Sequence, residues 1–424
     1  MHRLLVGAAV AFGILSGSSL AEAPPADIVA TIKMYQRTNA SIQAVTEAAI
    51  ARFKARYPNV AVENQWLPLG TWGEYISGFL NQVASGDVPD ILEVAIEGFS
   101  TVARQDLLLP LNEVISKDES AKELLDDIEP NLLAGMSYGT GGELYFFPTS
   151  WNNVLTFYNK DLFDAAGVPY PENDWTWEEF AETAKALTVK DASGNTVQYG
   201  YFVPGSNFTV APWYLTNGVD LLRNNWTESN VTDPKFAEAM KFLHDLIHEA
   251  GAAPNFERGV SDAQFTAGQV AMFSAGHWPT PTIIESGLKN VGVVMMPNNG
   301  SQVTVFGVGG LGITKQTEHP ELVWELVKEL TGPEAQQQYA ETRRNIPATR
   351  TAAQSPDYIA FPDHSEVFYD TASTAIPISA PPNFAEVEEI FMRNLELYLT
   401  DNVDLDTMIA TLDSELSRSL SRLR

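Results

Sequence analysis

Strand-like and helix-like segments alternate along the first quarter of the chain, and this alternation constrains the fold more than any other feature of the sequence. Apolar residues alternate with polar ones from residue 28 to residue 34, as on one face of a β-strand. Further along, the patterns predict in order a helix over 42–57, a strand over 60–64, a helix over 72–84 and a strand over 90–95. This order is typical of an α/β fold with a parallel sheet.

A second α/β region begins near Leu144. Thr176 and Glu179 have the spacing of a capping box, and Asp233 followed by Pro234 is a typical helix start. Beyond these, the patterns predict a strand over 303–314, a helix over 320–330, a helix over 384–399 and a last helix whose apolar stripe ends at Leu420. Because 424 residues are too many for a single hydrophobic core, we expect two domains.

The balance of charges restricts the partners. The sequence has 26 Lys and Arg against 54 Asp and Glu, a formal net charge of −28. Such a chain repels nucleic-acid phosphates and anionic lipid headgroups, so we expect no nucleic-acid partner and no peripheral membrane role. It contains no cysteine, which removes disulfides, thiolate metal ligands and cysteine nucleophiles.

The N-terminal residues predict export. His2 and Arg3 precede an apolar stretch over 4–15 and then small residues that end at Ala21. This order is typical of a secretory signal peptide over 1–21, cleaved after Ala21, which predicts a periplasmic protein. An uncleaved membrane anchor is the alternative, but the apolar run is shorter than the roughly 20 residues that a bilayer requires.

A glycine-rich motif at residues 307–312 matches G-x-G-x-x-G. A dinucleotide fingerprint must end a strand and open a helix, whereas the strand-like Ile313 and Thr314 follow here. We therefore interpret the glycines as a surface that a ligand or another backbone segment approaches closely.

The sequence provides no complete metal site. His244 and His248 are four residues apart in a predicted helix, but no third ligand is evident, so we interpret them as a solvated flank. Asp401, Asp404 and Asp406 lack the glycine and distal glutamate of a calcium loop. We predict no metal and no cofactor.

We predict no catalysis. The sequence has neither a G-x-S-x-G elbow nor a P-loop. A secreted carbohydrate-cleaving enzyme remains as an alternative, because a catalytic pair cannot be recognised among 54 carboxylates from the sequence.

Some tryptophans occur where strand-like segments meet loops. There, a flat ring can stack on the apolar face of a sugar while its polar neighbours bind the hydroxyls. The candidates for this role are Trp151, Trp213 and Trp278, whereas Trp175, Trp177 and Trp324 are assigned to the core.

An ordered set of short motifs resembles the carbohydrate-type solute-binding proteins of bacterial ABC importers, the maltose-binding-protein-like class. The motifs are GDVPDI at 86–91, LLLPL at 107–111, GELYFFP at 142–148, FYNKDLF at 157–163, TWEEF at 176–180, FTAGQVAM at 265–272, GHW at 276–278, GGLGI at 309–313 and AQ at 335–336. The sequence departs from the family pattern at Val270, where alanine is common, and at Val94, where the maltodextrin-binding relative has an aromatic residue.

The resemblance implies a two-lobed α/β clamp with hinged lobes and a C-terminal helical segment. It implies one lobe over 22–135 plus 302–347 and a second lobe over 136–301 plus 348–424, with the ligand between them. A monomeric periplasmic subunit would capture a sugar or oligosaccharide and deliver it to the transmembrane permease subunits and their ATPase. A receptor for glycerol phosphate or another anionic polyol is the alternative within this class.

The resemblance also implies ligand-binding positions. By positional match these are Gln36, Arg37, Glu97, Trp151, Trp213, Trp278 and Gly309. Arg344 is added on chemical grounds, because a guanidinium fork can bind vicinal hydroxyls or an anion.

Overall fold

The computed structural model describes residues 23–259 and 262–423. Within these residues the strands form a seven-stranded sheet, a five-stranded sheet and a small two-stranded hairpin. The strands are β1 Ala30–Thr38, β2 Val60–Pro68, β3 Ile91–Ala95, β4 Phe147–Asn153, β5 Leu155–Asn159, β6 Val189–Lys190, β7 Thr196–Phe202, β8 Leu222–Arg223, β9 Glu228–Ser229, β10 Val270–Ala275, β11 Val291–Val294, β12 Val305–Ile313, β13 Ile346–Pro347 and β14 Ile376–Pro377.

Helices connect the strands and cover both sheets. A 3-10 turn spans Thr371–Ser373. The α-helices are α1 Ala40–Arg56, α2 Trp72–Ser85, α3 Ile96–Ala103, α4 Asn112–Lys117, α5 Glu119–Asp126, α6 Pro130–Met136, α7 Lys160–Ala166, α8 Trp177–Ala186, α9 Asn207–Leu215, α10 Pro234–His248, α11 Asp262–Thr266, α12 Thr280–Ser286, α13 Pro320–Thr331, α14 Pro333–Thr342, α15 Arg350–Ala353, α16 Pro356–Ile359, α17 Glu366–Asp370, α18 Phe384–Leu399 and α19 Leu405–Ser421.

The predicted elements are confirmed, because the patterns that define them are local. Thr176 caps α8 and Glu179 reaches back to the backbone of Thr176, which completes the predicted capping box. Asp233 caps α10 by accepting a hydrogen bond from the backbone of Lys235. The chain therefore has the predicted α/β fold with a C-terminal helical segment, α18 and α19.

The seven-stranded sheet forms the first lobe. Its strands follow the order β13-β4-β12-β3-β1-β2, and β14 pairs with β12. Strand β1 runs parallel to β2 and β3, whereas β12 runs antiparallel to β3 and β4. The carboxyl ends of β1 and β3 therefore lie at the same edge of the sheet, which is where open α/β sheets bind ligands.

The five-stranded sheet forms the second lobe. Its order is β11-β5-β10-β7-β6, and β10 runs parallel to β7. The chain leaves β7 toward α9 and leaves β10 toward Trp278, so both departures lie at one edge of this sheet. Residues 270–275 of β10 are all buried, as expected for a central strand covered on both faces.

Strand pairing locates the points at which the chain passes between the sheets. Strands β4 and β14 fall within the segments that the sequence analysis assigns to the second lobe, yet both pair in the seven-stranded sheet. The chain changes sheet at Val154, between β4 and β5. The pairing partner of a strand is set by distant residues, so the exact lobe boundaries stay a prediction.

The predicted signal peptide and its cleavage after Ala21 lie outside the described residues. Within residues 23–259 and 262–423, we find no helix with the length and apolar character needed to cross a membrane.

Candidate functional site

A cleft of about 370 Å³ lies where the carboxyl edges of the two sheets meet. Strands β1, β3, β4 and β12 supply one wall, and the residues after β7 and β10 supply the other. The lining residues are Arg37, Ile42, Leu69, Gly70, Trp72, Glu93, Ala95, Glu97, Thr149, Ser150, Trp151, Asn152, Ser206, Phe208, Trp278, Gly307, Val308, Gly309, Arg344 and Asn345.

Arg37 is held in a fixed position near the end of β1. Its guanidinium carbon lies 3.3 Å from the centroid of the Trp72 ring, a cation–π contact. Its backbone N–H donates to Glu93 Oε2 at 2.7 Å, and its Nη2 lies 3.6 Å from Glu93 Oε1. Burial raises the pKa of Glu93, and the positive charge of Arg37 partly opposes that rise. The pair therefore forms a fixed polar surface on this wall of the cleft.

Glu97 enters the cleft from the first turn of α3. Burial raises the pKa of Glu97, and its Oε2 is buried without a hydrogen-bond partner among the described residues. A Cβ at Gly307 would lie 2.8 Å from Glu97 Oε1, so a larger residue at this position would displace the carboxyl from its place beside β12. A buried acceptor without a partner is costly, and a ligand hydroxyl would satisfy it.

Arg344 lies on the same wall, just before β13. Burial, and next the positive charge of Arg37, lower the pKa of Arg344. In the described part of the chain, no carboxylate forms an ion pair with its guanidinium. This side chain can therefore donate hydrogen bonds to a solute.

The wall that belongs to the second lobe is aromatic. The centroid of the Trp278 ring lies 6.2 Å from that of Phe208, with the ring planes inclined at 53°. A Cβ at Gly276 would lie only 2.1 Å from Cζ3 of Trp278, so a larger residue at this position would clash with the ring where it lies. The ring is only partly buried, which leaves part of it facing the cleft.

His277 connects the two walls. Its Nδ1 lies 2.6 Å from the carbonyl oxygen of Arg343, so this nitrogen carries a proton and donates it. Burial lowers the pKa of His277 to about 4, and the imidazole is therefore neutral at pH 7. The bond ties the segment that bears Trp278 to the segment that bears Arg344.

The structure brings six of the eight predicted site residues to the cleft. These are Arg37, Glu97, Trp151, Trp278, Gly309 and Arg344. Trp151 is only 1% exposed and packs edge-on against Tyr369, so it offers the cleft no open ring face. A binding role for these residues stays a prediction.

Gln36 and Trp213 do not reach the cleft. Gln36 is buried on the side of β1 opposite to Arg37, where its Oε1 accepts hydrogen bonds from Thr46 and Asn64. Trp213 is completely buried in the second lobe, packed against Phe180 and other rings. Gln36 and Trp213 therefore match binding positions of the family in sequence, but they do not line the cleft.

Sequence reasoning missed several lining residues, most of them within helices and strands. Trp72 caps the guanidinium of Arg37, and Phe208 faces Trp278. Glu93 had a usable signal, because it is a single acidic residue inside the otherwise apolar strand β3. A charge at such a position is expected to have a partner or a function.

The glycine-rich motif lies entirely within β12, and the predicted close approach of another backbone segment is confirmed at Gly310. A Cβ at Gly310 would lie 2.1 Å from the carbonyl oxygen of Phe147, at a register shift between β12 and β4. No helix opens directly after the motif, since α13 begins only at Pro320.

Comparison with known proteins supplies the family. The model of the bacterial extracellular solute-binding protein family matches residues 38–337. The chain belongs to this family. Membership places the protein outside the cytoplasm, among binding proteins that work with ABC permeases.

The relatives have low sequence identity to this chain, but they match it over most of its length. The chain is 24% identical over 295 residues to the sn-glycerol-3-phosphate-binding periplasmic protein of Rhizobium meliloti (strain 1021), covering 67% of each chain. The ABC substrate-binding protein of Listeria monocytogenes in complex with cycloalternan has a TM-score of 0.80 at 22% identity, covering 93% of this chain and 100% of that chain. The sugar-binding protein MalE of Xanthomonas citri has a TM-score of 0.78 at 20% identity, covering 93% and 98%. The last two likenesses show a shared two-lobed fold.

Proposed function

We propose that the protein is the periplasmic receptor of an ABC importer for a sugar or oligosaccharide. The observation that carries this proposal is the pairing of unlike walls in one cleft. Trp278 and Phe208 provide a ring surface for the apolar C–H face of a sugar, and Glu97 and Arg344 provide an acceptor and a donor for its hydroxyls.

The charge of the cleft fits a neutral solute. Two arginines, Arg37 and Arg344, are balanced by two glutamates, Glu93 and Glu97. The Listeria neighbour was solved with cycloalternan, and the Xanthomonas neighbour is described as sugar-binding, which supports a carbohydrate.

One observation favours a second candidate, an anionic polyol such as a glycerol phosphate. Arg344 has no carboxylate partner among the described residues, and it lies close enough to Arg37 for the two charges to interact. A phosphate between them would form charge-assisted hydrogen bonds. The Rhizobium relative carries sn-glycerol-3-phosphate in its name.

The captured solute is delivered to the membrane permease. The loaded protein closes its lobes as a monomer, and the closed surface docks on the transmembrane permease subunits. The protein performs no catalysis itself, in keeping with a family of binding proteins. Incubation with oligosaccharides that produces repeated cleavage would contradict this part.

Thermal-shift screening of the purified protein tests the choice of solute. The panel contains neutral sugars, polyols and their phosphates, each at the same concentration. A ligand at 100 times its Kd stabilises the folded state by about 2.7 kcal/mol, which gives a readable shift. A shift with neutral sugars supports the first candidate, and one restricted to phosphates supports the second. No shift across the panel would contradict both.

A further inference from the structure

A second cluster of chemically active side chains lies outside the cleft. His244 and His248 occupy successive turns at the end of α10, and their ring centroids are 4.3 Å apart. The sequence shows no third ligand beside them. The fold supplies one, because the turn between α18 and α19 places Asp401 against both rings.

The three side chains converge on one point. Asp401 Oδ1 lies 2.8 Å from His244 Nε2, and Asp401 Oδ2 lies 3.2 Å from His248 Nδ1. One nitrogen or oxygen atom from each residue lies within 4.8 Å of the others. Asp401 adopts a left-handed backbone conformation, with φ at 56°, which is uncommon outside glycine. That conformation lets the carboxylate of the turn face α10.

The hydrogen bond behind His248 decides which of its nitrogens is available. His248 Nε2 lies 2.9 Å from the carbonyl oxygen of Leu399. A carbonyl can only accept, so Nε2 carries a proton, and in a neutral ring Nδ1 then presents a lone pair. That lone pair would face a carboxylate oxygen 3.2 Å away, and because two acceptors repel each other, the contact needs either a second proton on Nδ1 or a metal ion bound by both atoms. A backbone carbonyl behind the ring is also the usual partner of a metal-bound histidine.

We propose that His244, His248 and Asp401 form a binding site for one divalent transition-metal ion of the Zn²⁺ type. Two imidazole nitrogens and one carboxylate oxygen suit such an ion. Asp401 is 62% exposed on its side chain, so water can complete the coordination. None of the three residues lines the cleft, and the ion would fasten α10 to the C-terminal helices α18 and α19.

Calorimetric titration of the untagged, chelator-treated protein with Zn²⁺ at pH 7.5 tests the site. We expect one equivalent to bind, and Co²⁺ in its place to give a visible d–d absorption band. His248→Gln and Asp401→Asn should each weaken binding by about 100-fold or more, because the loss of a direct ligand exceeds the roughly 10- to 100-fold effect of losing an outer-shell partner. His364→Gln is the matched control, since His364 is exposed and lies elsewhere in the chain; it should bind as the parent does.

Two results would overturn the proposal. One is the absence of both Zn²⁺ heat and a Co²⁺ band in the parent protein, in which case a proton alone holds the three groups together. The other is stoichiometric binding that persists in Asp401→Asn and His248→Gln. Circular dichroism of the metal-free variants establishes that they are folded, so that lost binding reports on the ligands. The outcome is independent of whether the cleft binds a sugar.

Discussion

On the side of the seven-stranded sheet the cleft presents charged groups, Arg37, Glu93, Glu97 and Arg344, whereas on the side of the five-stranded sheet it presents rings and short polar side chains. Arg37 and Glu93 are held by each other and by Trp72 before any ligand arrives, whereas Glu97 and Arg344 keep polar atoms available for a ligand. The second wall offers apolar area and few fixed bonds. For the proposed sugar receptor, this difference predicts that the first lobe orients the solute and that the second lobe covers it on closure.

The largest expected effect is on the aromatic wall. Trp278→Ala should remove stacking and contact area and weaken sugar binding by about 2–4 kcal/mol, or roughly 30- to 800-fold in Kd. Its matched control is Trp213→Ala, which opens a cavity in the core and should cost about 3–5 kcal/mol of stability while the folded fraction still binds. Calorimetry and denaturant unfolding of both variants measure the two quantities. If Trp278→Ala melted early yet bound normally, the ring would belong to the core.

Substitutions in the charged wall should lower the stability of the fold. Arg37→Met leaves Glu93 buried without its partner, which should cost about 3 kcal/mol. In this variant the folded-state pKa of Glu93 lies above its unfolded value, so protonation restores part of the stability at low pH and the loss grows as pH rises. Denaturant unfolding at pH 5 and pH 8 measures this trend. The double variant Arg37→Met/Glu93→Met should recover most of the loss; no recovery would show that the two residues are not coupled.

The stability that His277 contributes, where it connects the two walls, should depend on pH. Because the folded-state pKa of His277 is about 4, below the unfolded value of about 6.5, the unfolded chain binds more protons at intermediate pH. The contribution of His277 to the free energy of unfolding is therefore complete above about pH 6.5. Acidification removes it, by about 2 kcal/mol at pH 5. Burial raises the pKa of Asp220 to about 6 and that of Glu388 to about 7, which acts in the opposite direction.

Comparison of the parent with His277→Gln isolates this contribution, since Asp220 and Glu388 are present in both proteins. Unfolding curves at pH 7.5 and pH 5 should show a smaller acid-induced loss in the variant. Equal losses in the two proteins would mean that His277 is not the buried neutral group described here.

The smallest expected effect concerns Arg344. Arg344→Met should weaken binding of a neutral sugar by about tenfold, the cost of one charge-assisted hydrogen bond. Arg343→Met is the control, because the Arg343 guanidinium donates to the carbonyl of Asp357 and not into the cleft. Calorimetry with the best ligand of the panel measures both. A loss far above 100-fold at Arg344 would point to an anionic solute.

The sequence predicts the elements of this fold well and the site only in part. The period of α1, the capping box at Thr176 and the strand-like residues that follow the glycine motif are local signals, and each agrees with the structure. Gln36 and Arg37 show where local signals fail. They are adjacent at the end of β1 and face opposite sides of the sheet, so a positional match alone cannot choose between them.

Long-range neighbours account for the remaining differences. Asp401 is 157 residues from His244 in the chain, and nothing in either segment shows that they meet. Trp213 lies in α9, a helix buried on nearly all sides, so its ring has no solvent-facing direction available. Such facts depend on how elements pack, which periodicity and capping do not reveal.

Small-angle X-ray scattering with and without saturating ligand tests the central claim, that two unlike walls close on one solute. A ligand that contacts both walls binds the closed form better, so it raises the fraction of protein molecules in the closed form. We predict a smaller radius of gyration with ligand in the parent protein and a weaker change in Trp278→Ala at the same ligand concentration. An unchanged radius of gyration in the parent, at a concentration that saturates binding, would contradict the account.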